Sequence, residues 1–388
     1  MTPADAIAAA VKKREAAMFT FLADLVNIHS GSHHKAGVDR VGTRIHGHLA
    51  RLPVSVEIDP QSDAGNHLVV RTAAVDRHPG QALMVGHMDT VFPKDTDFRD
   101  YREDERCCYG PGIIDMKGGL VAGVFALEAL DAVGLLSKIP LTFIFNSDEE
   151  IGSHTSRALI RQEAAKSRFA FVLECGGMSG SIVTSRKGNR SFQLVCTGSA
   201  SHAAAAGTEK ASAIEALAHH ILSFEALNDP HRGITVNVGR ITGGIGPNTV
   251  AEIADARIDM RFTTPADETR LVEAAESIVA AEVVSGVRSA LKTVSRRPPM
   301  PPSAGNQALY DQVAAVAKTL GMPAAEEFRF GVSDANIIAE AGTPVLDGLG
   351  PLGENDHSDR EYMIKDSLPQ RTLLLAHALV ACWEHSTQ

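Results

Sequence analysis

The sequence predicts an α/β fold in which a mixed, mainly parallel sheet is flanked by helices and a smaller antiparallel domain is inserted into the chain. Three observations predict it. Continuous apolar runs, QALMVGHMD, KIPLTFIFNSDEE and SRFAFVLECGG, alternate with the helical segments MKGGLVAGVFALEALDAVGLL and SHTSRALIRQEAAKS, as parallel strands buried on both faces do. After about Ser181 the apolar residues recur at every second position, the mark of antiparallel strands with one exposed face. At 388 residues the chain also exceeds the size at which one core stops growing, so two domains are expected.

In chain order, the N-terminal stretch MTPADAIAAAVKKREAAMFTFLADLV spreads its charges at helical spacing and lacks the apolar run and cleavage site of a signal peptide. The three apolar runs end in His87 and Asp89, in Asp148, Glu149 and Glu150, and in Glu174. Polar residues therefore collect where strands stop, the edge at which open α/β sheets bind ligands. In the period-two region, RSFQLVC sets Phe192, Leu194 and Cys196 on one face, and AEIADARIDMRF does the same with Ala254, Ala256, Ile258, Met260 and Phe262. With the helical ASAIEALAHHILSFEAL and ADETRLVEAAESIVAAEV and the strand-like ITVNVGRI and RSALKTVS, the order is β-α-β-β-α-β, a ferredoxin-like arrangement. RRPPMPPSAG reads as a linker. Beyond it ALYDQVAAVAKTLG and SDANIIAEAG are helical, TPVLDGLGP is a strand, and the α/β pattern has returned. The larger domain thus spans residues 1–180 and 295–388, and the insert residues 181–294.

A formal net charge of −10 without a long Lys/Arg block argues against nucleic acid or an anionic membrane as partner and for a small molecule. No segment approaches the roughly 18 apolar residues that a membrane helix needs. The five cysteines are odd in number and show no CxxC spacing, which suits reduced thiols in a cytoplasm.

Taken singly, the polar residues at the strand ends have plain structural readings: a lone histidine is usually a hydrogen-bonded structural residue, and an acidic run usually a solvated turn. Their shared position changes this. His87, Asp115, Glu150, Glu174 and His357 all fall at strand ends or in adjoining loops of one domain, as the converging nitrogen and oxygen ligands of a metal site must. Imidazole and carboxylate without thiolate suit Zn²⁺, Co²⁺ or Mn²⁺ and hardly Ca²⁺. Five ligands exceed the roughly three that a single catalytic zinc takes, whereas two ions sharing a carboxylate fit the count. Two divalent charges outweigh three carboxylates, and the residual positive charge favours a bridging hydroxide.

The motifs GHMDTVFP, GPGIIDMKGG, SDEEIGS, LECGG and DHSDREYM, in this order along the whole chain, resemble those of the zinc-dependent exopeptidase superfamily of glutamate carboxypeptidase, succinyl-diaminopimelate desuccinylase, acetylornithine deacetylase and the aminoacylases. GHMDTV, GPGIIDMKGG and the late HSD bring it nearest to the glutamate carboxypeptidase branch of the carboxypeptidase G type. The resemblance implies that His87 and Glu174 bind one metal, Glu150 and His357 the other, and that Asp115 bridges them. It further implies that Asp89 orients the His87 imidazole, that Glu149 is the general base for a bridging hydroxide, and that the Asp115-Met116 bond is cis. The insert becomes a lid and dimerisation domain, whose His202, in GSASHAAA, stabilises the oxyanion in the partner's site. Asn248, in GGIGPNTV, then contacts substrate, and Arg261 and Arg329 become candidate ligands for the substrate's carboxylate. The reaction implied is hydrolysis of an amide next to a free carboxylate, either release of a C-terminal acidic residue or deacylation of an N-acyl amino acid. A non-catalytic peptide binder is disfavoured, because all five ligand positions and the base carry competent side chains.

Two departures complete the reading. Arg329, in EEFRFGVSD, stands about one position away from the arginine of the glutamate carboxypeptidase pattern. Arg261 also lies on the polar strand face with Asp255, Arg257 and Asp259, where cross-strand charge pairs are routine. His33, His34, His154, His219 and His220 read as structural or surface residues. Asp148, the first acid of SDEEIGS, has no assigned role, and its replacement by alanine is expected to be mild.

Overall fold

The structure, a computed structural model, describes residues 2–205, 207 and 210–386. It divides into two compact units, one of Met1–Ser185, Pro302–Arg329 and Ser333–Gln388, the other of Arg186–Pro301 and Phe330–Val332.

A six-stranded sheet forms the centre of the first unit, in the order Val54–Asp59, His67–Thr72, Leu141–Asn146, Gln81–His87, Ser167–Val172, Val345–Leu346. The last four strands run parallel, and the first two pair antiparallel at one edge. Every residue of Gln81–His87 and Leu141–Asn146 is buried, as expected of strands covered on both faces. The helices Pro3–Val26, Gly118–Ala132, Ala304–Thr319 and Ser367–Ser386 pack together, and Arg157–Ala164 packs against Asp334–Glu340. The Gly118–Ala132 helix is apolar nearly all round, so almost its whole length is buried. Gly119 lets it approach the sheet: a side chain there would collide with the carbonyl oxygen of Leu173, the residue before Glu174.

A small antiparallel sheet, in the order Gly353–Glu354, Tyr362–Ile364, Cys107–Tyr109, Arg102–Glu103, clips the chain before Asp115 to the chain after His357.

The second unit is an antiparallel sheet in the order Thr235–Gly243, Ile253–Phe262, Gly188–Thr197, Arg288–Arg297. Helices Ala213–Glu225 and Pro265–Ala280, capped by Ser212 and Thr264, pack on it. The alternating set Phe192, Leu194, Cys196, Ala254, Ala256, Ile258, Met260 and Phe262 is buried against them. Arg296 and Arg297 belong to the last strand, and Ser303 caps the next helix, so the Pro-rich break is shorter than RRPPMPPSAG. Among the described residues, no helix is long and apolar enough to cross a membrane.

Candidate metal centre

The parallel strands deliver the first residues. His87 closes Gln81–His87, Glu149 and Glu150 follow Leu141–Asn146, and Glu174 lies two residues beyond Val172. Asp115 enters on the loop after Gly112, whose φ of +71° is a left-handed conformation that glycine adopts freely, and the Asp115-Met116 bond is cis.

These segments converge. His87 Nε2 lies 2.9 Å from Asp115 Oδ1 and 3.6 Å from Glu174 Oε1. His357 Nε2 lies 3.0 Å from Asp115 Oδ2 and 3.4 Å from Glu150 Oε2. Two groups result, His87–Asp115–Glu174 and Asp115–Glu150–His357, each with its ligand atoms within 4.8 Å of one another, and they share Asp115.

The electrostatics state what the cluster needs. Burial and the neighbouring Asp115 charge push Glu174 well above the carboxylate range and Glu150 up to about 7. Burial opposes ionisation of Asp115 as well, yet the two imidazoles hold it below that range. His357 is driven up to about 11 by its bonds to Asp115 and Glu150, and His87 is raised by Asp115 and Asp89 despite complete burial. Protons on imidazole here stand in for positive charge that three converging carboxylates require. Glu150 Oε1 is moreover buried with no hydrogen-bond partner. An orphaned carboxylate oxygen beside an imidazole and carboxylate donor set fits a divalent cation.

Asp89 meets the His87 imidazole and has a second set of partners that the sequence did not indicate. His87 Nδ1 donates to the backbone oxygen of Asp89 at 2.9 Å, while the Asp89 carboxylate stands 3.5 Å away. That carboxylate also accepts the backbone N–H groups of Glu149 and Glu150, each at 3.2 Å, and the Ser32 hydroxyl at 2.7 Å. It fixes the segment that carries the candidate base.

Asp148 is fully buried, contrary to the reading of a residue without a role. It accepts the N–H and hydroxyl of Thr155 at 2.6 and 2.8 Å and those of Ser156 at 3.3 and 2.6 Å, closing the loop behind Glu149 and Glu150. Asp334 reinforces the same loop through Ser153 at 2.5 Å and Asn146 at 2.8 Å.

The remaining candidates divide between the units. Arg329, in the first, donates to Glu327 Oε1 at 2.7 Å and to the Cys175 carbonyl at 2.8 Å. His202, Asn248 and Arg261 lie in the second. His202 bridges to Thr249, and the Ala203 N–H donates to the Asn248 carbonyl at 2.9 Å, so the two candidate loops are neighbours. Arg261 Nε binds both oxygens of Asp259, at 2.9 and 3.0 Å. Of the other histidines, His34 meets His29 at 3.3 Å, and His220 is buried against Ser289 at 2.9 Å.

Sequence reading missed Glu361 and Ser32. Glu361 was within reach, since it lies four residues after His357 in DHSDREYM; Ser32, in a polar loop, carried no pattern.

Comparison with known proteins gives the family and the fold of the chain. The chain is 29% identical over 384 residues to carboxypeptidase G2 of Pseudomonas sp. (strain RS-16), covering 96% of this chain and 90% of that protein. Its fold matches aminopeptidase PepT from Bacillus cereus with a TM-score of 0.77 at 21% identity, over 95% of this chain and 99% of that one. It matches an M20 family metallo-carboxypeptidase from Sulfolobus solfataricus with a TM-score of 0.74 at 16% identity, over 95% and 99%. The family profile itself covers residues 83–381, from the strand that ends in His87 to the last helix, and the chain accordingly belongs to peptidase family M20/M25/M40, as a metal-dependent peptidase.

Proposed function

We propose that this peptidase works with two divalent cations, zinc foremost with Co²⁺ or Mn²⁺ as alternatives, and cleaves an amide next to a free carboxylate, releasing a C-terminal acidic residue. The observation that carries the reading is Asp115, whose two oxygens face two different imidazoles and so join two ligand groups. His87 and Glu174 would hold one ion and Glu150 and His357 the other, with Asp115 available to both. When bound, the ions supply Lewis-acid activation of water and of the scissile carbonyl.

The chain's own residues do the rest. Glu149, its backbone held by Asp89, takes a proton from the attacking water and delivers it to the leaving nitrogen. His202 accepts the Ala204 N–H at Nδ1, 3.2 Å, which leaves Nε2 as the protonated, donating nitrogen. We assign that donor to the oxygen that gains negative charge in the site of a second copy of the chain, with Asn248 beside it on the substrate. Asp259 engages only Nε of Arg261, and the remaining guanidinium edge suits a bidentate carboxylate.

The homodimer and lid role of the second unit are supported by its exposed apolar side chains. Ile245 is 89% exposed, Leu222 71% and Ile241 62%, and Thr235–Gly243 is an edge strand. Free cysteines support a cytoplasmic setting.

The engagement of Arg329 with Glu327 and Cys175 favours a second reading, an N-acyl-amino-acid deacylase or desuccinylase whose released residue is not acidic. A panel of N-acyl-glutamate, N-acyl-leucine and dipeptide substrates, assayed with Zn²⁺ or Co²⁺, decides between them. A preference of about tenfold or more for the acidic residue, about 1.4 kcal/mol, supports the carboxypeptidase, and equal turnover supports the deacylase. Binding of every substrate without turnover, or fewer than about one ion per active chain, would defeat both.

A further inference from the structure

We propose that Glu361 is a positioning residue for the metal centre: its buried carboxylate grips the backbone of the Gly112–Asp115 loop and thereby sets the direction of the Asp115 carboxylate. Glu361 is fully buried. Its Oε1 accepts the N–H of Ile114 at 2.8 Å and of Asp115 itself at 3.1 Å, and its Oε2 accepts the N–H of Gly112 at 2.9 Å. Backbone N–H groups gathered around one point, with a left-handed residue at Gly112, make an anion-binding concavity, and here the chain fills it with its own carboxylate. Nearby, Lys117 Nζ donates to the carbonyls of Ile28 and Pro111 at 3.0 and 3.2 Å. The loop is held by a carboxylate on its N–H groups and an ammonium on a carbonyl.

Direction matters at Asp115 more than elsewhere, because one carboxylate faces both His87 and His357 and a small rotation takes an oxygen away from one of them. Glu361 reaches the loop from the segment that also carries His357, four residues earlier. One short stretch therefore supplies a ligand candidate to the centre and fixes the backbone beneath the shared one. The proposal rests on the reading of Asp115 as the shared ligand.

The test compares wild type, Glu361→Gln, Glu361→Ala and Asp115→Asn as full-length, chelator-stripped chains titrated with Co²⁺ and with Zn²⁺ against a chelating dye. Glutamine keeps the length and one carbonyl acceptor but turns an NH₂ toward the Gly112 N–H. Affinity for at least one ion is expected to fall about 10–100-fold in Glu361→Gln and further in Glu361→Ala, with a changed Co²⁺ absorption band. Among loaded enzymes kcat should fall while KM stays near wild type, since Glu361 does not touch substrate. A merely structural glutamate would lower the melting temperature but leave Co²⁺ affinity and spectrum at wild-type values; that result in Glu361→Gln, with Asp115→Asn impaired, overturns the proposal. Failure of Glu361→Gln to fold would overturn it as well, by making the carboxylate a requirement of the fold. If Asp115→Asn binds both ions as wild type does, the shared-ligand reading falls, and the role of Glu361 falls with it.

Discussion

Replacing Asp148 by alanine tests whether the acidic run is a loop of chemistry alone or a loop that has to be built. The carboxylate accepts two backbone N–H groups and two hydroxyls, all within 3.3 Å, in a place with no solvent exposure. Alanine strips all four partners at once. The Thr155 hydroxyl can turn toward His67 Nε2, 3.0 Å away, whereas the contact of Ser156 Oγ with Asn146 Nδ2 at 3.3 Å is one in which the hydroxyl already accepts. The N–H of buried Ser156 cannot turn, and a buried donor without a partner costs about 1–3 kcal/mol, whereas exposed Thr155 can offer its N–H to water. With the space left by the side chain, the loss is about 2–4 kcal/mol, where a surface substitution stays within about 0.5 kcal/mol. Urea unfolding of the metal-free chain, followed separately for the transition of each unit, reads this directly. Asp148→Asn, which keeps shape and one acceptor, should lose about half as much. A loss below about 1 kcal/mol for alanine would refute the bracing role and restore the mild outcome read from the sequence.

Other outcomes follow from the same geometry. Asp89→Ala releases the N–H groups of Glu149 and Glu150 together with Ser32, and should lower kcat and weaken ion binding about 10–100-fold, read by steady-state kinetics and Co²⁺ titration. Glu149→Ala should keep its ions, read by metal analysis, and lose about 10²–10⁴-fold in kcat. His67 is fully buried between Ser147 and Thr155, and burial lowers its pKa below the usual 6.5. Below about pH 6.5 the unfolded chain takes up a proton that the folded one refuses, so stability falls with decreasing pH, and His67→Gln should flatten that slope in acid unfolding curves. Zinc at about 100 times its dissociation constant should add about 2.7 kcal/mol to the first unit, removable by chelator and visible by calorimetry.

Much of this architecture could be read from the chain because its patterns are strong. Buried parallel strands are continuous apolar runs, and QALMVGHMD, KIPLTFIFNSDEE and SRFAFVLECGG each became one, with the polar residues at their ends gathered at a common place. The antiparallel pair Val54–Asp59 and His67–Thr72 escaped notice because the first strand is half-exposed at a sheet edge and carries charges, so its apolar signal is weak. Asp148 and Glu361 escaped for another reason. A carboxylate that accepts N–H groups from remote loops looks, in sequence, like any surface acid, and only the folded chain brings its donors to it. Asp89 illustrates a finer limit: the spacing HMD indicates a carboxylate near the imidazole, but only the path of the next strand shows that it braces Glu149 and Glu150 as well.

The contact between Asp115 and His357 spans 242 residues, with the whole of the second unit emerging in between. At about 5–20 residues per second, a ribosome takes on the order of 10–50 seconds to travel from one to the other. From Glu174 onward the nascent chain holds His87, Asp115, Glu150 and Glu174 without His357 or the Glu361 carboxylate that steadies the loop. On the proposed reading the group His87–Asp115–Glu174 is complete early, and the group that needs His357 is completed only by the arrival of the chain's final tenth or so.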